Sequence, residues 1–367
     1  MTDPWPPDPG DRPGLVDLSD SAQNGGPMNG PPIVSQRWQS HGRLTPTQPP
    51  VEPSSRPTGL SFGEAAAEAI GEQFRRILRR EAGVWSGADP EDLHQMRVAS
   101  RRLRAALAIF RPAVRLPADA GERRVRQLTR VLGSLRDLDV QADHLRTNYR
   151  EDTSQDVRQV VDHLLTRVDR VKPKATAAVR RVLSSRRYGR LKSAYATWLE
   201  EPHFTSLGEL SLTAVLPDLL APGLSALLLH PAWTTGPRVP LRDAAPVLHD
   251  LRKTAKRARY QAEFFESHYG PDFTAWVEEL KRLQDRLGEF QDGEVVLTSL
   301  QEKPVSELGR RALHSEVRRR QVATLADWEQ LRASYLSDER RAELRKMVAE
   351  PQTTVRETQE TELSSED

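Results

Sequence analysis

The sequence predicts an all-α fold of two pseudo-symmetric four-helix bundles made by internal duplication and flanked by disordered tails. Three observations carry that expectation. Apolar residues recur at helical spacing from residue 60 to about 348. No alternating stretch of useful length and no Asn-Gly or Asp-Gly hairpin interrupts them. Two blocks of the chain repeat at one fixed offset.

The elements follow in order. Residues 1–59 hold 13 of the 27 prolines and no apolar periodicity, a composition that buries too little surface to offset ordering entropy. A disordered Pro-rich arm is expected there. Order begins at Leu60-Ser61-Phe62-Gly63-Glu64, where Ser61 and Glu64 spell a capping box. Asp89-Pro90-Glu91-Asp92 opens the next helix with a cap, a first-turn proline and acids at the positive end of the dipole. Further helices are expected over 118–148, 154–183, 186–200, 206–229, 243–268, 271–301, 305–335 and 338–348. Residues 351–367 read as a disordered acidic tail. The ordered domain is thus 60–350, divided into bundles at 60–205 and 206–350.

Composition narrows the function. The 367 residues contain no cysteine, which excludes a disulfide scaffold, a thiolate metal site and a cysteine nucleophile. The apolar stretch Val215 to Leu229 is interrupted by Pro217, Asp218, Pro222 and Gly223, so no membrane span is expected. Met1 to Gly10 has neither a basic start nor an apolar run, so no secretory signal is visible. A soluble cytoplasmic protein is the expectation. The net charge of +2 hides an asymmetry: residues 1–59 carry −2 and 351–367 carry −4, which leaves +8 on the body. A basic body with acidic ends suggests an anionic partner.

The repeat has an offset of 155. LHQMRVASRRLRAALAIF from Leu93 aligns with LHDLRKTAKRARYQAEFF from Leu248, pairing Leu93/Leu248, His94/His249, Arg97/Arg252, Arg102/Arg257, Arg104/Arg259 and Phe110/Phe265. LGSLRDLDV from Leu132 aligns with LGEFQDGEV from Leu287 in the same frame. Two matches sharing one frame indicate a duplicated helix–turn–helix unit.

At 100° per residue, with His94 as zero, Arg97, Arg101 and Arg104 fall between about 280° and 340°, beside an apolar sector holding Leu93, Met96, Leu103, Leu107 and Phe110. His249, Arg252, Lys256 and Arg259 repeat the basic stripe, and Lys253 and Arg257 widen it. No acid occurs from His94 to Arg111 or from Leu251 to Tyr260, although a solvated face would interleave acids to relieve repulsion. A polyanion would supply the missing charge; a merely solvated face is the alternative. Arginine suits phosphate because its planar fork donates two hydrogen bonds and stays charged.

These motifs resemble the CHAD family (conserved histidine α-helical domain). His94, Arg97, Val98, Arg101, Arg102, Leu103 and Arg104 match the family's H-x-x-R-V-x-x-R-R-L-R signature. Leu248, His249, Leu251, Arg252, Lys256, Arg259 and Tyr260 match the second, and Leu132, Gly133, Arg136, Asp137, Asp139 and Val140 match L-G-x-x-R-D-x-D-V. The resemblance covers about residues 60–350. It implies two four-helix bundles about a pseudo-twofold axis with a basic pore or groove between them. It also implies binding of inorganic polyphosphate and, as in some members, a place at polyphosphate granules. The sequence departs from the pattern in three ways. Gln291 and Glu294 replace Arg136 and Asp139 in the second copy, Ala258 replaces a usual Leu, and the Leu216–His230 helix has no Lys or Arg. The E-x-E-x-K pattern of the triphosphate-tunnel enzyme domain found in many relatives is not present.

On this reading the polyphosphate-binding residues are His94, Arg97, Arg101, Arg102, Arg104, His249, Arg252, Lys253, Lys256, Arg257 and Arg259. His94 and His249 as metal ligands are disfavoured by the arginines three, eight and ten residues on, which would repel a dication. They either donate to phosphate or brace an arginine, the alternative being satisfied, half-buried interface histidines. Asp137, Asp139 and Asp292, with Arg136, are expected to brace the stripe rather than to act as paired carboxylates. Arg75/Arg76/Arg79/Arg80, Arg123/Arg124/Arg126, Arg186/Arg187/Arg190/Lys192 and Arg318/Arg319/Arg320 read as solvated surface or as extensions of the anion path. No phosphate loop, nucleophile elbow or H-E-x-x-H occurs, so no catalysis, metal or cofactor is expected. Three functions compete: a polyphosphate-binding module, a nucleic-acid binder, and an enzyme that processes phosphate polymers. Nucleic acid is disfavoured because only Tyr260 could stack on a base.

Overall fold

The computed structural model describes residues 59–151, 153–236, 239–301 and 306–352. The expected arm and tail fall outside these residues, save Gly59, Pro351 and Gln352. The described chain is all-α, with eleven α-helices and no named strand: α1 (Phe62–Ser86), α2 (Pro90–Ile109), α3 (Glu122–Tyr149), α4 (Gln155–Leu183), α5 (Arg186–Glu200), α6 (Leu212–Leu228), α7 (Leu241–Ala262), α8 (Pro271–Ser299), α9 (Glu307–Thr324), α10 (Trp328–Leu336) and α11 (Asp338–Ala349).

Both predicted starts are present. Ser61 Oγ accepts from Glu64 N at 3.1 Å and Glu64 Oε2 accepts from Ser61 N at 2.9 Å, closing the capping box. Asp89 Oδ1 accepts from Glu91 N at 2.8 Å ahead of Pro90. Four expected boundaries shift. Short 3-10 turns at 118–120 and 206–209 precede α3 and α6, and α7 ends at Ala262, where the chain turns Phe265 inward. The expected helix 305–335 breaks into α9 and α10. There the Trp328 indole donates to Thr235 O at 3.0 Å and its ring stacks on Trp233 at 5.5 Å, and one unbroken helix does not form through this anchor.

The prolines of α6 do not break it. Pro217 and Pro222 lie inside the helix, while Leu212, Leu216, Leu220, Leu224, Leu227 and Leu228 are buried. By length and composition Leu212–Thr234 could cross a membrane. Its leucine face packs against α7 and α11, and 33% of its most apolar window is buried.

The duplication is visible in the packing. Helices α1 to α4 pack in series, α6 to α9 repeat the series, and the offset of 155 carries α2 onto α7 and α3 onto α8. The two bundles share their interior instead of burying separate ones. A single apolar cluster takes Ile70, Leu103 and Leu128 from the first bundle and Leu220, Leu251 and Leu283 from the second. Its joint is a pair of equivalent residues: Phe110 and Phe265, both buried, meet edge to face with centroids 5.6 Å apart. A smaller cluster, including Leu145, Val161, Val296 and Leu313, ties the far ends of α3 and α4 to α8 and α9.

Backbone hydrogen bonds tie down both ends of the described chain. Leu212 N donates to Leu60 O at 3.0 Å, and Gln352 N donates to His268 O at 2.8 Å. A chain trimmed to residues 59–352 is therefore expected to unfold cooperatively, within a few degrees of the whole chain, and to bind the same ligand. Loss of a cooperative melt would refute these limits.

Candidate polyanion-binding groove

The candidate residues lie on α2 and α7, which pack on each other and on α3 and α8. On α2, His94, Arg97 and Arg101 are successive partly exposed residues of one face, and Leu93, Met96 and Leu103 are buried on the other. Arg97 reaches α3, where its Nη2 donates to Asp137 Oδ1 at 3.1 Å. Its Nε lies 3.5 Å from where a Cβ on Gly133 would stand. The second bundle repeats this, with Arg252 Nε 3.4 Å from the equivalent point on Gly288. A mid-helix glycine costs roughly 0.5–1 kcal/mol relative to alanine. Its use here is steric: a methyl would just touch the guanidinium, and anything larger would displace it.

His94 sits among cations. Burial is the main cause that lowers its pKa, and Arg136 on α3, then Arg97 and Arg101, push the same way; only Glu91 opposes them. The imidazole is therefore held neutral by its surroundings. Its Nδ1 is buried with no hydrogen-bond partner, as are Arg97 Nε and Arg136 Nε. His249 occupies the matching place on α7.

The two copies converge. Helix α2 packs on α7 and α3 on α8. The Arg101 guanidinium lies 5.6 Å from the Tyr260 ring across the α2–α7 contact, and Arg259 covers the same ring at 4.7 Å. Asp292, the counterpart of Asp137, is pushed up to about 6: burial is the largest cause, Arg252 opposes it, and Asp137 and Glu289 add to it. A carboxylate that feels its own pseudo-symmetric counterpart marks the meeting line of the repeats.

The expected residues do not all reach this line. Arg104 does not lie on the exposed stripe: only 3% exposed, it donates from Nε to Glu122 Oε1 at 2.9 Å and closes the start of α3. At 280° it stood at the edge of the apolar sector, and packing took it inward. Arg102 and Arg259 share Glu263, the latter at 2.7 Å, and so join α2 to α7. Lys253 pairs with Asp250 at 2.9 Å, and Asp250 also meets the buried His230 at 3.2 Å. Arg257 donates to Thr254 Oγ1 at 3.4 Å, and Lys256 stays partly exposed.

Of the bracing acids, Asp137 holds Arg97 as expected, but Asp139 braces α4 instead, through Lys172 at 2.6 Å. Glu294, its replacement in the second copy, binds Arg318 of α9 at 2.6 Å. That departure thus preserves the same helix-to-helix strut. Ala258, the other departure, is buried where α6 comes close at Gly223, whose Cβ would lie 3.8 Å from the Ala258 Cα. The small residue admits a close helix crossing.

Sequence reasoning missed Glu122, Glu263, Lys172 and His230. Glu263 was within reach, being four residues beyond Arg259. The others come from distant segments with no local signal.

Compared with known proteins, the chain matches the family model of the CHAD domain over residues 68–301. It is similar to the crystal structure of the CHAD domain from the plant Ricinus communis, with 27% identity, a TM-score of 0.60, and 76% of this chain and 92% of that one covered. It is similar in fold to PptA from Streptomyces chartreusis, at 16% identity and a TM-score of 0.53 over 74% of this chain and 98% of that one. Among curated proteins, none matches its sequence.

Proposed function

The chain belongs to the CHAD family, and from that premise and the packing of α2 on α7 we propose that it binds inorganic polyphosphate without catalysis, in a groove between the two repeats. The observation that carries the reading is the meeting of the two repeats: Asp292 feels Asp137, and Arg101 reaches the Tyr260 ring. His94, Arg97, Arg101, Arg252 and Lys256 would then act on one ligand. A repeating anion without bases suits them. The ring of Tyr260, the stacking platform a nucleic acid would need, is already covered by two guanidiniums. Arg102, Arg257 and Arg259 belong to the second rank, holding α2 and α7 in place. The protein would work in the cytoplasm, at polyphosphate granules, as a binding module and not as a processing enzyme.

The test titrates the whole chain with long-chain polyphosphate, single-stranded DNA and pyrophosphate at equal phosphate, and assays released phosphate. Preference for the long polymer with no release supports the reading; preference for DNA, or release, overturns it.

Because each neutralised phosphate frees counterions, log K is expected to fall linearly with log salt, with a slope of about −0.7 per contact for a flexible single chain. Four to six contacts would give a slope of roughly −3 to −4. A slope near zero would mean that charge does not drive recognition.

A further inference from the structure

The described chain ends at Gln352, whose N–H donates to His268 O at 2.8 Å in the turn between α7 and α8. The Gln352 side chain lies over Gly270, with its Nε2 2.5 Å from where a Cβ would stand. Tyr269 of the same turn donates from its hydroxyl to Val348 O at 3.0 Å, which anchors the end of α11 there as well. Residues 353–367 therefore start from a fixed point. They carry Glu357, Glu360, Glu362, Glu366 and Asp367 against Arg356 alone, a net charge of −4.

That point is close to the groove cations. Lys256 stands on α7 before its end at Ala262, about 9 Å along the axis at 1.5 Å per residue. From Ala262 the chain reaches His268 in two successive turns, closed by Phe265 N on Ala262 O at 2.8 Å and His268 N on Phe265 O at 2.9 Å. Each such turn spans less than about 7 Å, so Lys256 and Gln352 are about 30 Å apart at most. Ten residues of extended chain cover about 33–36 Å, which puts Glu362, Glu366 and Asp367 within reach of Lys256. His268 also borders a cavity of about 310 Å³ whose lining includes Arg102, the neighbour of Arg101 on α2. Glu68, Glu72 and Glu263 line it too, so the cavity itself offers an acidic segment no seat. The stripes of α2 and α7 do, because no acid interrupts them from His94 to Arg111 or from Leu251 to Tyr260.

We propose that the acidic segment 353–367 occupies the groove when no ligand is bound, its carboxylates facing Lys256 and Arg101, and that polyphosphate must displace it. The proposal rests on the reading of the groove as an anion site and adds its regulation. A tethered segment acts at an effective concentration of order millimolar, so contacts too weak to hold a free peptide suffice here. The same cost falls on every anion that enters. Short anions with few contacts drop below useful affinity, and a long polymer with contacts to spare still binds.

The experiment compares the whole chain with a tail-neutral variant carrying Glu357→Gln, Glu360→Gln, Glu362→Gln, Glu366→Gln and Asp367→Asn. Without ligand, a water-soluble carbodiimide should join a tail carboxylate of the parent to Lys256 or Lys253 within one chain, as peptide mapping would show. Arg101→Glu, long-chain polyphosphate or about 0.5 M salt should each suppress that link. In titrations at low salt, the tail-neutral variant should bind tripolyphosphate and long-chain polyphosphate about three- to tenfold more tightly than the parent. Its plot of log K against log salt should also be steeper, because in the parent the ligand replaces carboxylates as well as counterions. The two plots should merge at high salt. Equal affinity of parent and variant at low salt overturns the proposal. So does a link that forms only between copies, or only to Lys172, Lys174 or Lys192. Failure of the groove reading looks different: neither protein binds polyphosphate, or Arg101→Glu leaves long-chain binding unchanged. The carbodiimide link needs no polyphosphate and still decides whether the segment lies on α7.

Discussion

Arg101→Glu and Lys256→Glu are each expected to weaken long-chain polyphosphate binding by about ten- to a hundredfold, and the same reversal at Arg123 by less than about threefold. Each swap changes local charge by two units, and hydrogen bonds to charged groups contribute about 1.5–3 kcal/mol, against 1.4 kcal/mol for each tenfold change in affinity. Arg101 and Lys256 are equivalent in the two repeats and both are partly exposed, so the swaps should leave folding intact, as a thermal melt would show. Arg123 is exposed on α3 and serves as the control. Arg318 would not serve, because its guanidinium binds Glu294 at 2.6 Å and Gln321 at 2.9 Å, and a carboxylate there would disturb the α8–α9 contact. Pyrophosphate cannot bridge the stripes, so for it the two effects should be small and independent. If Arg123→Glu weakens long-chain binding while the two groove variants match the parent, the groove lies on another face.

Much of this architecture is legible before folding, because duplication leaves a frame. Two blocks at one offset suffice to place α2 over α7 and α3 over α8. What the frame hides is anything decided between segments. Phe110 and Phe265 align as a repeated pair, yet nothing in either block says that they touch each other and merge the cores. The break before α10 is equally silent, since Leu325-Ala326-Asp327-Trp328 holds no Gly or Pro and the demand for it comes from Thr235. Pro217 and Pro222 show the converse. Both look like breakers, but six buried leucines outweigh the missing donors. On α2, the 280–340° sector gathers Arg97 and Arg101, both partly exposed, but it cannot separate Arg104, whose partner Glu122 lies eighteen residues away on another helix. Asp139 and Glu294 look like a divergence until their partners are known: Lys172 and Arg318 make them the same strut.

Asp292→Asn should separate what the groove does for stability from what it does for binding. Asp292 is held up at about 6, against an ordinary 3.8, because burial, Asp137 and Glu289 outweigh the attraction of Arg252. Its folded pKa lies above the unfolded one, so its contribution to stability is fully present below 3.8 and is lost as pH rises through about 6. At pH near 7.5 the parent therefore carries a costly buried charge, and the asparagine variant should melt a few degrees higher. That advantage should shrink as pH falls below about 6 and vanish near 3.8. Binding runs alongside. A phosphate anion in the groove favours the protonated carboxyl, so polyphosphate affinity should rise as pH falls through about 6, and this part of the rise should be missing in Asp292→Asn. His94 adds to the same trend, because the phosphate offsets the burial and the cations that lower its pKa. That part of the rise should shrink in a His94→Ala variant. On stability His94 has the opposite sign, since a lowered histidine costs stability as pH falls through its unfolded value near 6.5. Melts and titrations of the parent, Asp292→Asn and His94→Ala between about pH 5 and 8 therefore separate the two groups. If Asp292→Asn melts below the parent at pH 7.5 and leaves the pH dependence of binding unchanged, Arg252 holds this carboxylate ionised and the two aspartates do not meet in the groove.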